Sequence, residues 1–576
     1  MKRLMFYLTR LSLQLSMLLV ALAIVLALFI VPYVWIVALI IVIHLAFKSR
    51  VSLSAYGTAT WAAYSDIEPL FSGEGLVLGQ FDGELTFFAR LKRLFNRGLP
   101  AKLAIQKFFG PGKKDKPILR LSTSVHTAVF APTGVGKGVS CVVPFLLTCR
   151  DSVIVIDFKG ENTKITAQAR RKMGHRVIVL DPFASVGRCD TFNPLAFINP
   201  DSLTALDDCR CLAEALVIRT GQEKEPHWND SAEVWITAMI AVTVCFADDH
   251  TRNLQSVRTL LTDPARMAAA IKMMCESTAW EGLLARLGNQ LLAYKDKELS
   301  STLTTTNRFL RFLDTIPIVA NTKRSSFNPA ELLKGKMTVY LVLPPEHMRT
   351  QSALLRLWVG SLLRILVKGG LQDRRKVHLV LDEAASLGHM DALNDAVDKY
   401  RGYSLCIQFY YQSLGQLKKC WPEGQDQTLL SNTTQVFFGV NDQQTAEYVS
   451  NRLGEQTIVV DSGGTSYGGS SQNSQSSGGG SSSNSSSWNT SSNWSQAARK
   501  LLRPEEVTAL NERIAISFVP GCRPIWTTLL RYYEKEFKVN RQIGLLNAMF
   551  TTAYMFLASA LMAGMFAWLL LNERSW

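Results

Sequence analysis

His126–Leu147 reads HTAVFAPTGVGKGVSCVVPFLL. An apolar, β-rich run ends at Ala131, a turn holding Gly134 and Gly136 follows, and GVSCVVPFLL can open a helix. Strand, turn and helix in that order are the context of a phosphate-binding loop, whose usual pattern is G-x-x-x-x-G-K-[ST]. Two positions depart from it. Ala131 stands where the first Gly belongs, which costs little if its φ is negative. Gly138 stands where a hydroxyl would hold Mg²⁺, leaving the metal to a carboxylate elsewhere and water, or to Ser140. The candidate nucleotide-binding positions are Thr133, Gly134, Val135, Gly136, Lys137, Gly138 and Val139. Their backbone N–H groups would close around phosphate, Lys137 would reach the β and γ oxygens, and the helix offers its N-terminus. The cofactors expected are ATP and Mg²⁺.

One loop needs partners. VHLVLDEAASLG (Val377–Gly388) carries an apolar run into Asp382 and Glu383. A carboxylate at Asp382 can hold Mg²⁺ through its water shell, and Glu383 can orient and activate an attacking water. YRGYSLCIQFYYQS (Tyr400–Ser413) puts Gln412 at the end of the next strand, a place to sense γ-phosphate. Arg401 precedes that strand and is a candidate arginine finger for a neighbouring subunit. Asp157 and Lys159 in VIDFKGE either line the site or cap the helix that follows.

Outward from the loop, apolar runs alternate with helical patterns, which predicts a parallel α/β sheet. The expected strands are HTAVFA, DSVIVIDF, HRVIVLDP, MTVYLVLP, VHLVLDEA, LCIQFYYQ and TQVFFGV. ERIAISFVPGCRPIWTTLLRYY (Glu512–Tyr533) returns to a β pattern and is expected to rejoin the sheet. Residues 122–194 and 315–460 form the expected nucleotide domain, with its end at 496–540. Residues 195–314 read as an all-helical insert, within which Val234–Ala247 is an apolar core helix. Residues 461–495 are dominated by Ser, Gly and Asn, too little apolar surface to fold, and are expected to be a flexible linker.

The chain has 576 residues, ample for two or more domains. Lys and Arg exceed Asp and Glu by 62 − 47 = 15, a balance that favours nucleic acid or anionic lipid. Arg90–Arg120 alone holds ten basic residues against Asp115. The ten cysteines include no CxxC pair, so neither a zinc site nor a disulfide framework is expected. Leu11–Phe47 is almost wholly apolar and nearly double the ~20 residues of one span. Basic residues at both ends place both in the cytoplasm, so residues 1–50 are expected to form a two-helix hairpin. Residues 51–121 are then a juxtamembrane basic region and the start of the nucleotide domain, and 545–571 a third span. The expected location is the bacterial inner membrane, multi-pass, with the nucleotide domain cytoplasmic.

At this point the motifs add up to a resemblance. YGTATWA (Tyr56–Ala62), HTAVFAPTGVGKGVSCVVPFLL, IDFKGEN, FNPLAFI, LVLDEAASLG, YQSLGQL and LLRPEEV (Leu501–Val507) follow in the order seen in type IV secretion coupling proteins of the TraG/VirD kind. Members of that family typically carry K-G at the phosphate loop, as here. The resemblance implies a RecA/FtsK-like P-loop fold with an all-alpha insert facing substrate, and a homohexamer with ATP between subunits. Lys137, Asp382, Glu383 and Gln412 would come from one subunit and Arg401 from the next. It implies hydrolysis that drives a relaxase-bound single DNA strand toward type IV secretion channel proteins. Two other readings are open at this stage: the same ATPase recruiting protein effectors, and a non-hydrolysing docking receptor. The chain departs from the family in three ways: a minimal loop between the first two spans, a Ser/Gly tether lying between motifs, and a C-terminal span.

Overall fold

A computed structural model describes residues 55–67, 70, 75–81, 117–121, 126–187, 189–219, 223–371, 375–472, 483–534 and 537. Thirteen strands are described: β1 Leu76–Phe81, β2 Ile118–Leu121, β3 His126–Phe130, β4 Ser152–Asp157, β5 Arg176–Leu180, β6 Met337–Val342, β7 Val377–Leu381, β8 Leu405–Tyr411, β9 Thr433–Phe438, β10 Glu455–Gln472, β11 Ser483–Lys500, β12 Ile514–Phe518 and β13 Ile525–Thr528. Eleven form one sheet in the order β2-β1-β13-β12-β9-β3-β8-β7-β4-β6-β5. From β9 to β5 every pairing is parallel. From β9 to β2 every pairing is antiparallel.

The parallel strands are buried along nearly their whole length and mostly apolar because both faces are covered. On one face Val129, Val153, Val155, Val179, Val380 and Tyr410 pack with Val142, Phe145 and Leu146 of the helix that follows the phosphate loop. On the other, Phe130, Ile154, Ile178, Leu381, Ile407 and Phe409 join Leu354, Trp358 and Leu362 of the helix Pro345–Lys368. β12 and β13 rejoin the sheet as their sequence suggests. β1 and β2 extend it within residues 51–121, read as a basic region and the start of the domain without any strand being placed there. Four residues with an arginine (ILRL), and LVLGQF broken by Gly79 at φ +121°, give too short a pattern to stand out.

Between β5 and β6 the described residues form helices and no strand. The run read as an apolar core helix is His227–Phe246, with Trp235, Ile236, Met239 and Ile240 fully buried or nearly so. Its core is continuous with that of the sheet: Trp235 and Met239 belong to the same apolar cluster as Ile154 and Leu381.

Within the stretch expected to be a flexible linker, residues 461–472 and 483–495 lie in strands. β10 and β11 run 18 residues each and pair as a two-stranded sheet. Composition bears on side-chain burial, whereas a ladder uses backbone N–H and C=O groups, which every residue here supplies because residues 455–500 contain no proline. The base of this ribbon holds the YGTA stretch. Thr58 bridges Gln456, Ala59 N–H donates to Glu455 O at 3.0 Å, and Tyr56 N–H donates to Thr457 Oγ1 at 3.0 Å. The ribbon with residues 55–59 forms one compact unit, and the eleven-stranded sheet with its helices forms the other.

The apolar runs within residues 1–50 and 545–571 lie outside the described residues. Among the described residues no helix is long and apolar enough to cross a membrane.

Candidate nucleotide-binding site

Sheet order builds the site. β3, β8, β7 and β4 are neighbours, so the segments leaving their C-terminal ends meet at one edge. The loop leaves β3. Ala131 N–H donates to Tyr411 O at 3.0 Å, which ties the start of the loop to the end of β8. Gly134 and Gly136 sit at φ +91° and +98°, where a side chain is strained. The helix opens with a π turn, Gly138–Val142, and continues as Val143–Leu146. Lys137 folds back, its Nζ donating to Ala131 O at 2.6 Å. Burial lowers the Lys137 pKa, while Glu383 and Asp382 pull it back up. Thr133 and Gly134 are exposed at the loop tip, with Val135, Gly138 and Val139 half-buried.

β7 delivers the carboxylates. Asp382 Oδ2 accepts from Asn162 Nδ2 at 3.0 Å, and Asn162 lies in the first turn of the helix Glu161–Lys172 that leaves β4. Burial pushes the Asp382 carboxyl up to about 7, against the Asn162 hydrogen bond. β8 delivers Gln412, which lies between loop and carboxylates. Its Nε2 donates to Glu383 Oε1 at 3.2 Å, and Gln416 Nε2 reaches the same oxygen at 3.4 Å. Gln416 Oε1 in turn accepts from Gln412 N–H at 2.8 Å. Lys137, Asp382, Glu383 and Gln412 are therefore brought together. A cradle of positive-φ glycines beside a lysine fits phosphate, and a hard carboxylate oxygen at Asp382 fits Mg²⁺. Ser140 is buried beneath the loop at 2 % exposure. A Cβ at Gly138 would meet nothing within 4 Å, so the missing hydroxyl is not a matter of space.

Arg401 is not brought to this cluster. It lies in the short turn Tyr400–Tyr403 before β8, exposed, at the opposite end of the strand from Gln412. Seven residues at about 3.3 Å each put roughly 20 Å between them. Asp157 caps the helix that follows, its Oδ2 accepting from Thr163 N–H and Oγ1, both at 2.7 Å, and its charge is near enough to Asp382 to help raise that carboxyl. Lys159 is exposed.

Three residues escaped the sequence reading. Asn162 sits three positions beyond Lys159 in the same motif, and Gln416 one helical turn beyond Gln412. Gly439, at φ +59°, lets the end of β9 approach the loop, and a Cβ there would come within 2.8 Å of Val135 Cγ1.

Known proteins similar to this chain include coupling proteins of type IV secretion. Protein VirD4 of Rhizobium rhizogenes is 28% identical over 416 residues, covering 71% of this chain and 58% of that protein. Conjugal transfer protein TraG of Rhizobium radiobacter is 26% identical over 487 residues, covering 82% of this chain and 71% of that protein. The chain thus spans under three fifths of the length of the VirD4 relative. Among solved structures, the plasmid coupling protein TrwB in complex with ADP and Mg²⁺ shares the fold, with a TM-score of 0.53 at 17% identity over 70% of this chain and 85% of that one. The unbound bacterial conjugative coupling protein TrwBdeltaN70 gives the same TM-score of 0.53 at 18% identity over the same shares. The family model described as Type IV secretory system Conjugative DNA transfer matches residues 101–554, and with that extent of match the chain belongs to this family.

Proposed function

We propose that the chain is an ATPase coupling DNA substrates to a type IV secretion channel during conjugative transfer. The observation that carries this reading is Glu383. It is held by Gln412 and Gln416 beside Lys137 and Asp382, at the edge where four parallel strands end. That is the place for a base which orients water against a γ-phosphate. Lys137 would exchange its loop carbonyl for phosphate oxygens. Asp382, aimed by Asn162, would hold Mg²⁺, which supplies charge neutralisation on the phosphates. Gln412, bonded to Glu383 and next to the loop, would report the γ-phosphate to β8.

In this reading six copies form a ring anchored in the inner membrane by the apolar runs of residues 1–50 and 545–571, with the nucleotide domain cytoplasmic. Arg401 completes a neighbour's site. The substrate is a single DNA strand with its relaxase, which suits a net charge of +15. The channel proteins receive it. The test is turnover of full-length protein in detergent, with and without single-stranded DNA, beside Glu383→Gln. DNA-stimulated hydrolysis lost in the mutant supports the reading. Turnover indifferent to DNA moves protein cargo ahead. Absence of turnover in an assembled protein leaves a docking receptor.

A further inference from the structure

At the other end of the same strands lies a cluster that nucleotide chemistry does not use. Cys149 follows the phosphate-loop helix, Asp151 leads into β4, and His378 is the second residue of β7. One donor atom from each, a thiol sulfur, a carboxylate oxygen and a ring nitrogen, lies within 4.8 Å of the other two. His378 Nε2 and Asp151 Oδ2 are 3.3 Å apart. We propose that Cys149, Asp151 and His378 bind one divalent transition-metal ion of the zinc class, with water in the fourth position.

Four features argue for it. First, the donor set is a thiolate, an imidazole and a carboxylate, the ligands zinc takes. Two anions and a neutral imidazole neutralise a 2+ ion in a buried place. Second, the spacing fits. Bonds of about 2.0–2.3 Å in a tetrahedron put ligand atoms roughly 3.5 Å apart, so closure asks for shifts on the order of an ångström. Third, the ligands are held from behind. Arg170, fully buried, donates from Nη1 to Cys149 O and from Nη2 to Asp151 O at 2.8 Å, which fixes the turn bearing both. The His378 ring is set edge-on to Phe145, centroids 5.0 Å apart. Fourth, there is access for water. Cys149 and His378 are buried, but the Asp151 side chain is 33% exposed.

The ion would join the turn after the phosphate-loop helix to β7, the strand that leads into Asp382 and Glu383. It would fix, from the far end, the spacing of the two halves of the nucleotide site. It would be a structural ion and take no part in hydrolysis.

The experiment uses full-length protein in detergent, stripped with a chelator and reloaded with Zn²⁺. Elemental analysis should find about one zinc per chain, lost in Cys149→Ser and in His378→Asn. Co²⁺ in place of zinc should give a thiolate charge-transfer absorption that Cys149→Ser abolishes. Because either variant can misfold, the wild type is also tested alone: Zn²⁺ should slow alkylation of Cys149, mapped by mass spectrometry, by about tenfold or more. A wild type without stoichiometric zinc, variants that keep it, or a Cys149 alkylated equally with and without Zn²⁺ would overturn the proposal.

Discussion

Asn162 aims the carboxylate on which Mg²⁺ would sit, since its amide is bonded to Asp382 Oδ2 at 3.0 Å. Groups that orient a metal ligand are typically worth 10–100-fold in affinity or activity. Asn162→Ala is therefore expected to cut turnover by about that factor and raise the Mg²⁺ concentration for half-maximal rate, with nucleotide binding in the absence of metal unchanged. An unaltered Mg²⁺ dependence would refute the orienting role. Gly439→Ala acts on the loop instead. It adds a methyl 2.8 Å from Val135 Cγ1 at a φ of +59°, so Val135 must move, at a cost of about 1–2 kcal/mol in strain. Nucleotide affinity should fall, read by titration of a fluorescent ATP analogue, while the thermal midpoint drops only a few degrees. At this scale legibility followed charge. Lys137, Asp382 and Glu383 announce themselves by type, and the structure sets them side by side. Asn162 carries no charge and meets a partner 220 residues away. Its signal was present only as the seventh residue of IDFKGEN, a motif quoted whole but read for Asp157 and Lys159. Gln416 had a plainer signal, an i,i+4 amide pair with Gln412 at a helix start.

Elements were legible where the apolar period was long. The seven parallel strands are each covered on both faces and read as mostly apolar runs. β10 and β11 were illegible for the opposite reason, since serine and glycine carry no pattern and only backbone pairing defines them. One pairing makes a testable statement about pH. His126 opens β3, and its Nδ1 accepts from Ile407 N–H of β8 at 3.2 Å. Burial, helped by the Arg401 charge, lowers its pKa from 6.5 to about 4. A histidine held neutral in the folded state adds stability that is whole above pH 6.5 and is lost as pH falls toward 4. From these values roughly 2 kcal/mol disappears between pH 7 and pH 5. Urea unfolding at the two pH values should show the loss in wild type. His126→Asn, whose Oδ1 can accept the same hydrogen bond without titrating, should reduce it. Equal losses in both would show that other groups govern acid unfolding.

For the molecule as a whole, the decisive residue is the one the fold leaves outside its own site. Arg401 lies a strand's length from Gln412, about 20 Å by strand rise, so no side-chain motion brings it to the phosphate loop of its own chain. A finger role therefore requires a second copy, joined head to tail so that the edge bearing Arg401 faces the edge bearing Lys137. Such a ring divides each site between two chains, and the division can be measured. Lys137→Ala and Arg401→Ala should each abolish turnover, the first with loss of nucleotide binding and the second without it. Mixed and reassembled, the two mutants should regain activity. An interface with Lys137 from one chain and Arg401 from its neighbour recurs at about a quarter of positions in a random ring. Recovery toward that fraction of the wild-type rate would establish shared sites. A mixture that assembles but stays inactive, or an Arg401→Ala ring that hydrolyses normally, would remove Arg401 from the mechanism and leave the Glu383 site to work within one chain.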